Sequence, residues 1–197
     1  PLNRRMSAGF RTQFEYIRPY RGTTTLPITE TLYLGGEYTI RGYDIRSIGP
    51  RDLLGGTGLV LGGNKTLLFN AEYLINIAGP VRLVLFYDTG QVREIGQKFG
   101  WKEDISQVTD PRVPAIVDPF TTTTLVDPNA PGPYLSKIGE TSAFKTSTGA
   151  ELRFFMPVLN VPFRLIFAYN PQRYGVLDNS LRPAKKFTFK FAVGSTF

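Results

Sequence analysis

Hydrophobic and polar residues alternate along most of this chain. At 6–17, Met6, Ala8, Phe10, Thr12, Phe14 and Tyr16 stand against Ser7, Gly9, Arg11, Gln13 and Glu15. A period of two belongs to a strand with one apolar face. At 64–76, Lys65, Leu67, Phe69, Ala71, Tyr73 and Ile75 oppose Asn64, Thr66, Asn70, Glu72 and Asn76. At 81–88, Val81, Leu83, Leu85 and Tyr87 share a face, and Arg82, Asp88 and the following Gly90 share the other. Strands at 145–155 and 163–170 set Leu152, Phe154, Phe163 and Phe167 against Glu151, Arg153, Arg164 and Asn170. The last, at 186–197, sets Phe187, Phe189, Phe191 and Val193 against Thr188, Lys190, Ala192 and Gly194. Six strands are thus predicted, with short turns at 77–80 and 156–162 and long connections at 21–63, 91–144 and 171–185. Within the second of these, the prolines and Asp-Pro steps make 93–143 read as irregular throughout.

Pairing 64–76 with 81–88 through their short turn sets Glu72 opposite Phe86 and Asn70 opposite Asp88. Glu72 and Asp88 then become diagonal neighbours on the polar face, roughly 5–8 Å apart at Cβ. Two carboxylates placed in this way repel each other unless a cation joins them.

Composition narrows the class. The 197 residues suffice for one domain, and 42% of them are apolar. No apolar run approaches the 18 residues of a membrane-spanning helix, but barrel strands carry a far weaker signal. The 15 Phe, 10 Tyr, 20 Gly and 15 Pro suit strands and turns. Cysteine and histidine are both absent, which removes disulfides, thiolate metal sites and histidine-based catalysis or metal binding. Neither a metal nor a cofactor is expected. The formal charge of +7 is spread along the chain, so the basic residues read as solvating loops and a polar lumen, with no nucleic-acid partner. The opening Pro-Leu-Asn-Arg-Arg has no apolar segment behind it, so no signal peptide is expected, and an exported protein would contain this chain as an internal or C-terminal piece.

The first long connection carries Tyr33-Leu34-Gly35-Gly36, then Ile40-Arg41-Gly42-Tyr43, then Gly49-Pro50-Arg51. Gly42 relieves a tight bend from which Arg41 projects. These three parts, in this order, resemble the signature loop of the β-barrel assembly family of outer membranes, the BamA type. In that family the loop folds into the barrel, and its arginine pairs with a strand glutamate and with the aspartate of a Phe-x-Asp-x-Gly motif. Asn70-Ala71-Glu72-Tyr73 and Phe86-Tyr87-Asp88-Thr89-Gly90 stand where those motifs should be. The resemblance therefore makes Glu72 and Asp88 the partners of Arg41, with Arg46 and Arg51 mattering less.

Several further expectations follow from the resemblance. The fold is all-β, a transmembrane antiparallel barrel, of which residues 1–197 are the C-terminal portion and its last six strands of sixteen. Six strands alone leave an open curved sheet. Residues 33–51 lie in the lumen, 93–143 form an extracellular insert, and Phe197 ends the insertion signal. The protein sits in a bacterial or organellar outer membrane, where it inserts and folds unfolded barrel clients through a lateral seam. Its partners are membrane lipid, those clients, and accessory periplasmic lipoproteins reached through N-terminal POTRA repeats. A two-partner-secretion barrel exporting a passenger is the alternative, ahead of a porin-like channel or a soluble β-sandwich binding module.

Overall fold

A computed structural model describes residues 5–20, 26–110, 131–156 and 161–194. The strands are β1 (Met6–Tyr16), β2 (Lys65–Ala78), β3 (Val81–Arg93), β4 (Lys102–Thr109), β5 (Tyr134–Ser142), β6 (Lys145–Met156), β7 (Val161–Tyr169) and β8 (Phe187–Val193). Six of them form one antiparallel sheet in the order β1-β2-β3-β6-β7-β8, and β4 and β5 form a second, two-stranded one. β1 and β8 are the two ends of the large sheet. Chain order and spatial order coincide along it, except that the β4–β5 hairpin is inserted between β3 and β6.

The hairpin corrects the expectation that 93–143 is irregular throughout. Prolines and Asp-Pro steps are confined to 110–133, and outside that core Ile105 and Val108 sit among strand-tolerant polar residues. Pairing runs from Lys102 opposite Ser142 to Thr109 opposite Tyr134. The β2–β3 register is the predicted one, with Glu72 opposite Phe86 and Asn70 opposite Asp88. Phe197 lies outside the described residues.

The two faces of the large sheet differ in a way that defines the fold class. On one face, Phe10, Phe69, Leu85, Phe154, Phe167, Phe187, Phe189 and Phe191 are exposed, and Tyr73, Leu83 and Phe163 are half-buried. Cross-strand aromatic pairs tile this face: Phe10 with Phe69 at 6.4 Å, Phe163 with Phe191 at 5.7 Å, and Phe167 with Phe189 at 5.0 Å between ring centroids. On the other face Asn70, Glu72, Asp88, Glu151 and Arg164 are buried beneath the connection 26–63. Charges inside and phenylalanines outside invert the pattern of a water-soluble domain. They rule against a β-sandwich, whose apolar faces would meet in a core.

Apolar residues on the loop-covered face complete the packing. Leu34, Ile40, Tyr43 and Ile48 of the connection cluster with Leu68, Val92, Val176 and Ala184. A smaller group joins Phe86, Ile166, Ala168 and Ala192.

The outward face yields a direct test. Leu85→Arg and Phe167→Arg are each expected to cost about 2–4 kcal/mol if those positions meet the hydrocarbon near its midplane. At a water-exposed position the same changes stay within about 0.5 kcal/mol. Equilibrium refolding into lipid vesicles separates the two.

Candidate functional site

The connection 26–63 descends onto the sheet as a stack of small turns. Isolated bridges join Leu32 to Gly63, Leu34 to Ile48 and Arg51 to Val60. Gly35 and Gly36 take φ of 104° and 107°, a region L-residues rarely adopt. A Cβ on Gly35 would lie 2.3 Å from the carbonyl oxygen of Asp44. These two glycines let the chain reverse, so that Gly36 N donates to Tyr43 O at 3.1 Å and Tyr43 N to Ile40 O at 3.2 Å. Gly49 fits against Val60, whose Cγ1 would stand 2.9 Å from an added Cβ. Residues 37–43 form the tip.

At that tip Arg41 is fully buried. Its Nε donates to Asp88 Oδ2 and its Nη2 to Asp88 Oδ1, both at 2.7 Å, a two-pronged pairing. Nη1 donates to Glu72 Oε1 at 2.7 Å and to Glu151 Oε2 at 2.9 Å. The backbone N of Arg41 also reaches Asp88 Oδ2 at 3.2 Å. Its guanidinium carbon stands 4.0 Å over the centroid of the Phe86 ring. Burial alone would push the Arg41 guanidinium down, but the hydrogen bond with Asp88 and the charges of Asp88, Glu72 and Glu151 more than reverse this. Arg41 is therefore held as a cation.

Two further arginines complete the cluster. Arg153 donates to Glu72 Oε1 at 2.7 Å and to Glu151 Oε1 at 2.5 Å. Arg164 donates to both oxygens of Glu151, at 2.7 and 2.9 Å, and to the carbonyl of Glu37 in the tip at 3.3 Å. Three guanidinium groups thus face three carboxylates.

Neutral groups fix the rest of the tip. Gly42 N donates to Ser147 Oγ at 3.0 Å, and Asn170 Nδ2 donates to Gly42 O at 2.9 Å. Asn70 Nδ2 donates to Thr39 O at 2.7 Å and to Asp88 Oδ1 at 2.8 Å. Tyr43 donates to Thr146 O at 3.2 Å; burial pushes its hydroxyl up from the ordinary tyrosine value, which keeps the proton on it. Lys190 donates to Tyr43 O. At the lower edge, Tyr38 OH donates to Val193 O at 3.3 Å, and Arg11 Nη1 donates to Tyr38 O at 3.2 Å.

The structure thus brings Ile40, Arg41, Gly42 and Tyr43 together with Glu72 and Asp88. It adds Glu151, Arg153, Arg164, Ser147 and Asn170, which sequence reasoning did not name as site residues. Glu151 and Arg153 had a legible signal, their place on the polar face of their strand, but nothing fixed that strand against β3 across the long insert. In the structure Glu151 pairs with Val84 and Arg153 with Arg82.

Arg46 and Arg51 part company. Arg46 has φ 57° and sits 5.5 Å from the Tyr33 ring. Arg51 binds three carbonyls, Gly58 at 2.8 Å, Ser47 at 3.0 Å and Leu177 at 2.9 Å, and ties the loop to the 171–185 connection. Arg46→Ala is expected to stay within about 0.5 kcal/mol of the parent. Arg51→Ala should cost about 1–3 kcal/mol through carbonyls left without a donor. Thermal unfolding in detergent micelles checks both.

Over its whole length, residues 1–197, the sequence matches the Omp85 superfamily domain. The chain belongs to the Omp85 superfamily. It is 32% identical over 88 residues to the outer membrane protein assembly factor BamA of Nitratidesulfovibrio vulgaris, a match covering 44% of this chain and 11% of that protein. The crystal structure of BamA from Haemophilus ducreyi lacking POTRA domains 1–3 superposes with a TM-score of 0.60 at 18% identity. That match takes in 98% of this chain and 32% of the other, so the two share the fold. The chain spans about a third of that structure and about a tenth of the curated relative. The open six-stranded sheet is thus of the Omp85 outer-membrane barrel type, with its phenylalanine face outward.

Proposed function

We propose that the chain is the part of an outer-membrane β-barrel assembly factor that carries the lumen loop, and that it acts without covalent chemistry. The observation that carries this reading is the burial of Arg41 between Glu72, Asp88 and Glu151. A passive pore has no use for a connection fastened by three ion pairs to strands on the lumen face. An assembly factor needs its barrel held in shape while one edge accepts a client. In this reading β8 is the last strand of the full barrel, and a client strand adds by β-augmentation at a weakly paired seam between it and the barrel's first strand, which lies outside this chain. The clients are unfolded barrel proteins and the surrounding medium is outer-membrane lipid. Accessory lipoproteins act through POTRA repeats elsewhere in the full protein. The β4–β5 hairpin stands with the long connections on the extracellular side.

The test reconstitutes the full-length protein in lipid vesicles and follows the folding of a small unfolded barrel client. Folding faster than in empty vesicles, and slowed by Arg41→Ala, is the expected result. An unchanged client rate, together with transport of a passenger segment into a protease-protected space, would replace this reading with the secretion one.

A further inference from the structure

A cavity of about 680 Å³ opens where the long connections meet, between the tail of the loop at 47–53, the end of β3, the β4–β5 hairpin, the start of β6 and the stretch 175–177. Five cationic side chains line it: Arg51, Arg93, Lys98, Lys102 and Lys145. Among the described residues two carboxylates line it, Glu103 and Asp104, and both are engaged; of the cations, Lys102 pairs with Glu140 at 3.0 Å. Glu103 holds Lys145 at 2.5 Å and approaches Arg93 Nη1 at 3.6 Å, while Asp104 pairs with Lys137 at 2.6 Å.

Arg93 decides what the cavity takes. It is 8% exposed, and its Nε donates to Gln91 Oε1 at 3.0 Å. Its Nη2 is buried without a hydrogen-bond partner among the described residues, and so is Nε of Arg51. A buried guanidinium N–H left unpaired is costly. Both atoms are closed to water, so an acceptor oxygen in the cavity removes that cost only as the Arg93 side chain shifts away from Glu103. Glu103 already supplies a carboxylate, and further charge-assisted acceptors are what these N–H groups lack. A phosphate group carries several acceptor oxygens and matches guanidinium geometry. The volume falls in the range of small-molecule sites, leaving room for a sugar or a second phosphate.

We propose that this cavity binds a phosphate group, carried either by a soluble phosphoester or by the headgroup of a phosphorylated glycolipid. Arg93 is its principal ligand, and Glu103 is an internal competitor for the same cation. The inference is independent of the function proposed above.

The full-length protein in phosphate-free detergent, titrated with inorganic pyrophosphate by calorimetry, tests it. Saturable binding is expected, weakened at least about tenfold by Arg93→Gln through loss of a charge-assisted hydrogen bond. Glu103→Gln is expected to act in the opposite direction and tighten binding, which loss of folding cannot imitate. Repeating the titration in nanodiscs of a phosphorylated glycolipid, and of the same glycolipid stripped of phosphate, separates the sources. Blocking by the phosphorylated form alone assigns the site to the lipid headgroup, and no blocking assigns it to a soluble ligand. Absence of pyrophosphate binding in detergent, or binding indifferent to both substitutions, overturns the proposal.

Discussion

Arg41→Ala is expected to destabilise the folded barrel by about 3–5 kcal/mol, the range for a buried ion pair that loses one partner. The change leaves two guanidinium groups against three carboxylates. The damage falls unevenly. Glu72 keeps Arg153, and Glu151 keeps Arg153 and Arg164, whereas Asp88 is left with the neutral amide of Asn70 and one backbone N–H. Asp88→Asn alone should therefore cost less than Arg41→Ala. The double variant Arg41→Ala with Asp88→Asn restores charge balance and should cost less than the sum of the two. Arg41→Lys should not rescue, because an ammonium cannot bind Asp88 with two prongs while also reaching Glu72 and Glu151. Thermal unfolding in micelles and protease cleavage within 33–51 read these effects. Additive losses for the Arg41–Asp88 pair would show that the two act independently.

Gly42→Ala is expected to expel the loop tip. An added Cβ would stand 1.7 Å from Asn170 Oδ1 and 2.5 Å from Ser147 Oγ, both on fully buried side chains. Neither can swing away without giving up its bond to the Gly42 backbone. Overpacking of this kind costs about 1–3 kcal/mol where the surroundings can yield. Here the tip also stands to lose its ion pairs, so the upper end or beyond is expected. Combining Gly42→Ala with Asn170→Ala removes the closer of the two clashes and should recover part of the loss, even though Asn170→Ala alone is destabilising. Equal loss from Gly42→Ala with and without Asn170 would place its cause elsewhere.

What could be read from the sequence depended on how far apart the paired elements lie. β2 and β3 are joined by a tight turn, so alternation alone fixed their register and set Glu72 and Asp88 on one face. β3 and β6 are separated by the hairpin insert, and no local rule sets Val84 opposite Glu151. The acidic partner from β6 and the arginines behind it could be placed on a polar face, but not against Arg41. β4 and β5 were hidden by the prolines between them, which dominate the character of the whole stretch although each strand lies outside the proline-bearing core. Parity puts Leu68, Phe86 and Ile166 on the polar face, and it does not say what covers them there. They are buried there because the descending loop supplies Leu34, Ile40 and Tyr43, and the neighbouring strands their own apolar groups, to cover them.

Between Glu37 and Tyr43 the loop touches every strand of the large sheet or the residue that follows it. Arg11 of β1 meets Tyr38; Glu72 of β2 and Asp88 of β3 meet Arg41; Glu151 and Ser147 of β6 meet Arg41 and Gly42. Arg164 of β7 meets Glu37, Asn170 just beyond it meets Gly42, and Val193 of β8 accepts from Tyr38. Neighbouring strands lie about 4.8 Å apart, so six of them span roughly 24 Å of arc. A short tip fastened at points all along that arc works as a caliper. Flattening the arc or coiling it more tightly would change the distances across it and break contacts at its ends first, at Arg11 and Val193. The girth of the barrel and the seating of the loop are then one mechanical variable, and a change in either is read out in the other.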